Sequence, residues 1–242
     1  MERLYIREVA LRQPPVEHSY LRTIPVIQSL MAGQSIRLTA PVTFLVGENG
    51  VGKSTLVEGV AVASGFNPEG GTRNFAFSTS DSHSELHSLL TIVKEAYPED
   101  GFFLRAESFY NAISYIDSVR ATGSYGGKSL HSMSHGEGFL TLVQNRFGAK
   151  GLYILDEPEA ALSPSRLLTL LVEMHRLVEQ GAQFIVATHS PILMAYPDAC
   201  VLELSEQGIR QVDYRETEHY QITHRFLQDP ERMLSVLLND DE

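Results

Sequence analysis

Residues 44–55 read FLVGENGVGKST. Within them Gly47, Glu48, Asn49, Gly50, Val51, Gly52, Lys53 and Ser54 satisfy the phosphate-binding pattern G-x-x-x-x-G-K-[ST] at every defined position. The flanks agree with it. Residues 41–46 (PVTFLV) form a short apolar run rich in β-formers, as a buried strand requires. From Ser54 to Ser64, helical spacing puts Leu56, Val57, Val60 and Ala63 on one face. A strand, a glycine loop and a helix in that order aim several backbone N–H groups, and the positive end of a helix, at one point. Lys53 adds a full charge there, and the Ser54 hydroxyl can join the shell of a magnesium ion. The expected ligand is a nucleoside triphosphate, held by Gly47 through Ser54 and by Thr55.

The chain of 242 residues is long enough for one large α/β domain or two small ones. Its hydrophobic fraction of 43% and charged fraction of 20% are ordinary for a globular protein. No apolar run reaches the length of a membrane span, and the opening MERLYIREVALRQ lacks an apolar signal core. A cytoplasmic protein without direct membrane insertion is therefore expected. Cys200 is the only cysteine, which excludes an intrachain disulfide and a thiolate metal cluster. The net charge of −11 argues against a dominant basic face for nucleic acid, though not against a local groove.

Outward from the loop, residues 3–12 and 35–40 read as strands, with Pro14, Pro15, Pro25 and Gly33 marking loops and turns between them. Two early strands with no helical pattern between them predict a small antiparallel layer beside a parallel sheet. Leu86, Leu89, Leu90 and Val93 predict a helix over 84–97, and GFFLRA a strand over 101–106, followed by a helix over 108–120. Ser163 as cap, Pro164 at the first helical position and Gly181 as the stop frame a further helix. Residues 201–204 and 209–214 predict a hairpin, followed by a helical tail whose last helix starts at Asp229-Pro230.

Three further stretches carry chemistry. The strand LYILDE ends in Asp156, where a parallel sheet presents functional side chains and a carboxylate can hold magnesium opposite Ser54. Glu157, the next residue, is placed to orient and polarise an attacking water. His189 ends the strand QFIVATHS, at the level where it can reach a terminal phosphate and hold that water with Glu157. Ser134-His135-Gly136-Glu137 opens a helix running to Arg146; it reads equally as a capping box and as a second anion site.

With these four segments in view, the chain resembles the ATP-binding cassette (ABC) class of P-loop ATPases. More closely, it is similar to small stand-alone AAA/ABC-type ATPases without transmembrane domains. GENGVGKS resembles Walker A, MSHGE lies where the LSGGQ signature belongs, LYILDEPEAALSP resembles Walker B with the D-loop, and VATHSPIL the switch-histidine segment. The resemblance implies an α/β fold with a mainly parallel core sheet, an N-terminal antiparallel layer and a helical subdomain carrying the signature. It implies one domain over 1–242, with the subdomain at roughly 75–148 inserted between the two halves of the site. It also implies a head-to-tail homodimer with ATP sandwiched between the copies. Carried over, Lys53 and the loop amides hold the phosphates, and Ser54 and Asp156 bind Mg2+. Glu157 is the catalytic base or water-orienting group and His189 the γ-phosphate switch. Ser134, His135, Gly136 and Glu137 form the signature that meets the partner's ATP.

The sequence departs from the family pattern at His135 and Glu137 of the signature, at Glu107 in place of the Q-loop glutamine, and at Ala160–Ser163, where the D-loop aspartate is missing. Glu107 remains a candidate magnesium ligand, and Tyr20 a candidate partner for adenine. His83 and His87, four apart in HSELH, match no zinc motif. The expected function is an ATPase whose cycle closes and opens the dimer. Two alternatives are the nucleotide-binding subunit of an ABC transporter and an ATP-gated module that grips DNA or an unidentified protein.

Overall fold

The structure is a computed structural model that describes residues 4–68, 70–72, 84–106 and 134–238. In chain order, β1 (Ile6–Leu11) is followed by α1 (Pro25–Met31), β2 (Ile36–Arg37) and β3 (Val42–Val46). The glycine loop then opens α2 (Lys53–Ala63). A single turn, α3 (Leu86–Leu89), leads straight into β4 (Leu90–Lys94), then β5 (Asp100–Arg105). The second half runs α4 (His135–Arg146), β6 (Gly151–Asp156), α5 (Pro164–Glu179) and β7 (Gln183–Ala187). It ends with α6 (Pro191–Met194), β8 (Cys200–Ser205), β9 (Gly208–Val212), α7 (Glu218–Gln228) and α8 (Pro230–Leu238).

The strands form two sheets. The larger has the order β5-β6-β7-β3-β8-β9, with every neighbouring pair parallel except the β8–β9 hairpin. The smaller, β2-β1-β4, is antiparallel. Side chains alternate across a strand, so each central strand feeds two cores at once. Leu45, Ile154 and Ile185 face one core together with Leu56, Val57 and Val60 of α2 and Val9 and Leu90 of the smaller sheet. Phe44, Tyr153, Leu155, Phe184 and Val186 face the other, against Phe139, Leu142 and Val143 of α4 and Leu170, Met174 and Leu177 of α5. Both faces of the parallel sheet are thereby covered, and the strand ends are the free rim. Burying each such side chain contributes about 1.5–3 kcal/mol.

A buried glutamine ties the two sheets together. Gln183 Oε1 accepts from the amides of Tyr5 and Ile6 at 2.8 and 2.9 Å, and its Nε2 donates to Ile6 O at 2.7 Å. All of its polar atoms are satisfied inside the core, as burial demands.

Two expectations need correction. Residues 84–97 are not one helix: Leu86–Leu89 make a single turn and Leu90–Lys94 pair with β1. The helical spacing of 86, 89, 90 and 93 is coincidental with strand alternation, since Leu90 is buried while Val93 points outward at 42% exposure. Pairing with β1 outweighs the local pattern. Between β1 and β2, moreover, the chain is helical at Tyr20–Thr23 and Pro25–Met31. Pro25 sits at the first position of α1, where its missing N–H costs nothing, and Val26, Ile27 and Leu30 are buried. The antiparallel layer is present nonetheless. Glu107, His83 and the predicted helix over 108–120 lie outside the described residues.

Candidate functional site

The glycine loop leaves β3 and is wedged between two other elements. Gly47 has φ +144° and a Cβ there would overlap the Leu204 carbonyl oxygen at the end of β8. Gly52 has φ +98° and a Cβ there would overlap the Ile24 side chain at the entrance to α1. Only glycine meets both demands at either position. The Val26 amide of α1 donates to Val51 O at 3.1 Å and fixes the far side of the loop. Lys53 is 4% exposed, and its Nζ donates to Gly47 O at 2.8 Å and Glu48 O at 2.9 Å, closing the loop around its own ammonium. Burial lowers the Lys53 pKa, while the carboxylates of Glu157, Asp156 and Glu159 push it back up.

Across the rim, β7 separates β6 from β3, and the end of β6 reaches the start of α2. Ser54 Oγ donates to Asp156 Oδ1 at 3.0 Å. The other Asp156 oxygen is 3.4 Å from Arg105 Nε, and Arg105 Nη1 donates to Glu58 Oε2 of α2 at 2.7 Å. Strand register explains the pair, since Arg105 of β5 sits opposite Asp156 of β6. The sequence reading did not single out Arg105; the signal would have been a basic residue at the end of a neighbouring parallel strand.

Glu157 follows in left-handed backbone (φ 50°, ψ 53°), with its amide donating to Ala187 O at 2.9 Å. A non-glycine residue held there stores about 1–3 kcal/mol of strain, and such residues cluster at functional sites. The turn aims the Glu157 carboxylate at β7, where Oε1 lies 3.4 Å from His189 Nε2. Glu159, two residues on, is partly buried and turns its Oε2 out of solvent. Its Oε1 accepts from Thr188 Oγ1 at 2.8 Å and from the His189 amide. Burial raises the Glu159 pKa against those hydrogen bonds. The carboxylate thus clamps the segment that carries His189.

On its other side, His189 Nδ1 lies 2.7 Å from Nε2 of His219, the second residue of α7. Burial first, and the Lys53 charge second, lower the pKa of both imidazoles. His219 is a site residue that sequence reasoning missed, because the tail folds back onto the loop and nothing local announces that return. A cleft of about 530 Å³ opens there, bounded by Glu48, Asn49, Glu206, Gln207, Arg210 and His219.

Ser134 through Glu137 open α4 as a capping box: Glu137 Oε2 accepts from the Ser134 amide at 3.0 Å and from Ser134 Oγ at 2.8 Å. Those bonds lower the Glu137 pKa, with the Ser134 hydroxyl the larger cause. Gly136 is buried, and a Cβ there would press on the Arg166 guanidinium and the Ala161 carbonyl oxygen. The helix start therefore packs against the turn after Glu157 in its own chain, while Ser134 and His135 face outward. Tyr20 is 60% exposed, on the turn before α1. Among the described residues no group of three or more acidic, histidine or cysteine side chains is placed to hold a metal by itself.

Two family models match the chain: one described as "AAA domain, putative AbiEii toxin, Type IV TA system" over residues 129–195, and one described as "AAA domain" over residues 24–103. UvrABC system protein A of Lactococcus lactis subsp. lactis is 33% identical over 86 residues, 34% of this chain and 9% of that protein. The chain thus spans a small part of that relative. The solved structure of cbiO1 from Clostridium perfringens, part of the ABC transporter complex cbiONQ, aligns over 97% of this chain and 99% of its own. Its TM-score is 0.52 at 18% identity, which is a likeness of fold. The SMC head domain from Thermotoga maritima covers 87% of this chain and 99% of its own, with TM-score 0.45 and 14% identity. No helix among the described residues is long and apolar enough to cross a membrane. With a phosphate loop facing a strand-end aspartate and an antiparallel layer beside the parallel sheet, the chain is similar to AAA domains over residues 24–103 and 129–195 and to cbiO1 in fold, the pattern of P-loop ATPases of the ABC/AAA type.

Proposed function

We propose that the chain binds Mg2+–ATP at residues 47–55 and hydrolyses it to ADP and phosphate, as one half of a head-to-tail homodimer. The observation that carries this reading is the meeting of Ser54 and Asp156 at 3.0 Å with the Glu157–His189 pair on the adjoining strand ends. A hydroxyl and a carboxylate are hard oxygen donors, the set magnesium takes alongside phosphate oxygens. Ser54 and Asp156 would hold the ion, which when bound supplies positive charge to polarise the phosphate oxygens.

The remaining work falls to the chain. Lys53 uses two of its three donors on the loop carbonyls and has a third for the terminal phosphates. The loop amides and the start of α2 complement phosphate charge. Glu157 orients water for in-line attack and accepts its proton, while the neighbouring His189 holds the terminal phosphate. In the dimer, Ser134, His135, Gly136 and Glu137 of the second copy would close the site. The outward Ser134 and His135 at the start of α4 support that, provided Ser134 exchanges its bond to Glu137 for one to the nucleotide.

The first test is binding. Lys53→Ala should weaken Mg2+–ATP affinity about 10–100-fold by calorimetry, the worth of one charge-assisted hydrogen bond. Asp156→Asn should lower turnover and raise the magnesium concentration needed to support it. Unchanged affinity in the first variant, or unchanged turnover in the second, would remove the reading.

A further inference from the structure

We infer that His219 is a positioning residue that fixes which ring nitrogen of His189 carries the proton. The inference rests on the hydrolytic reading for its purpose, and on geometry for its content. Two neutral imidazoles whose nitrogens meet at 2.7 Å share one proton between those nitrogens. Either His219 Nε2–H donates to His189 Nδ1, or His189 Nδ1–H donates to His219 Nε2. The other nitrogen of His189 decides between them. Nε2 is buried without a hydrogen-bond partner among the described residues and lies 3.4 Å from Glu157 Oε1, where the charge of a carboxylate favours an N–H over a lone pair. His189 therefore carries its proton on Nε2, accepts at Nδ1, and His219 is the donor.

The arrangement is braced from behind. Thr217 caps α7, its Oγ1 accepting from the Tyr220 amide at 3.4 Å and donating to Tyr214 O at 2.6 Å. Thr217 is 1% exposed and packs against Met194 of α6, the helix that directly follows the His189 segment. The start of α7 and the His189 loop are thus held by one packing unit, so the ring of His219 arrives in a set position. The consequence is chemical. With Nε2 protonated, His189 presents a donor on the side of Glu157, the side from which a phosphate oxygen needs one; with Nδ1 protonated, it would present a lone pair and repel that oxygen. A second imidazole on an otherwise exposed tail helix gives the site a fixed tautomer without adding charge beside Glu157.

The tautomer can be read directly, without nucleotide, from two-bond correlations in 15N-histidine spectra, with His189→Asn assigning the His189 signals. The wild type should show His189 protonated at Nε2, and His219→Ala should show a mixture of both neutral forms. His219→Gln, which keeps an amide donor, should restore the Nε2 form at least in part and serves if the alanine variant folds poorly. In turnover, His219→Ala should lower kcat about tenfold or more while KM changes less than about twofold, the pattern of a group that orients another. An unchanged His189 tautomer in both His219 variants overturns the inference, as does a wild-type His189 protonated at Nδ1. Wild-type protein that neither binds nor hydrolyses Mg2+–ATP would instead overturn the proposed function, while the spectra still decide what His219 does.

Discussion

A carboxyl group in a nearly dry place carries a pH signature, and Glu159 is such a group. Oε1 is spent on Thr188 and the His189 amide, while Oε2 is buried with no hydrogen-bond partner among the described residues. Burial keeps the neutral form to a higher pH than in the unfolded chain, where the group ionises near 4.5. Above that value the unfolded chain has lost its proton and the folded one has not. Stability from this group therefore falls as pH rises through the window between the two pKa values, and the loss is complete once the folded carboxyl ionises. Glu159→Gln keeps the accepting oxygen and removes the ionisation. Thermal unfolding followed by circular dichroism should show the variant gaining on the wild type as pH rises above about 4.5. A gap in melting temperature that stays constant or runs the other way would contradict this account of the buried carboxyl. The neighbouring Glu157 contrasts with it: half-exposed, held in left-handed backbone, and turned toward His189 where it can take a proton from water.

At the scale of elements, the site is a product of strand order. β3, β6 and β7 end on one rim, so the glycine loop, Asp156-Glu157 and His189 arrive together although far apart in the chain. The smaller sheet must hold still for that rim to keep its shape, and Gln183 is its most specific tie to the larger one. Gln183→Ala strands two amides and a carbonyl in the core. The expected loss is about 1–3 kcal/mol for each group that water does not reach, seen as a lower urea midpoint with an unchanged slope. A variant as stable as the wild type would show that the sheets are joined by apolar packing alone. α7 plays the corresponding part on the other side of the site, placing His219 against His189 across the end of the sheet.

Over the whole molecule, what could be read in the sequence was what is decided locally. Gly47–Ser54 between a β-rich run and an apolar helix face needs no distant partner to be understood, and Pro164 and Gly181 frame α5, with Ser163 at the N-cap position but without a side-chain cap bond. Asp156 at the end of β6 and His189 two residues past β7 could be read because buried parallel strands are short apolar runs with abrupt polar ends. Residues 84–97 misled because helical and strand periods overlap over four apolar positions, and only pairing with β1 separates them. Arg105 opposite Asp156 depends on strand register, and His219 on the return of the tail, neither of which is written in any local window. The central claim is that Glu157 activates water on a nucleotide held between two copies of this chain. Its most direct test is Glu157→Gln, with ATP binding, phosphate release and mass by light scattering measured on the same sample. The account predicts retained ATP binding, turnover lowered about 10²- to 10⁴-fold, and a dimer that accumulates with ATP and magnesium. Phosphate release at the wild-type rate would contradict it.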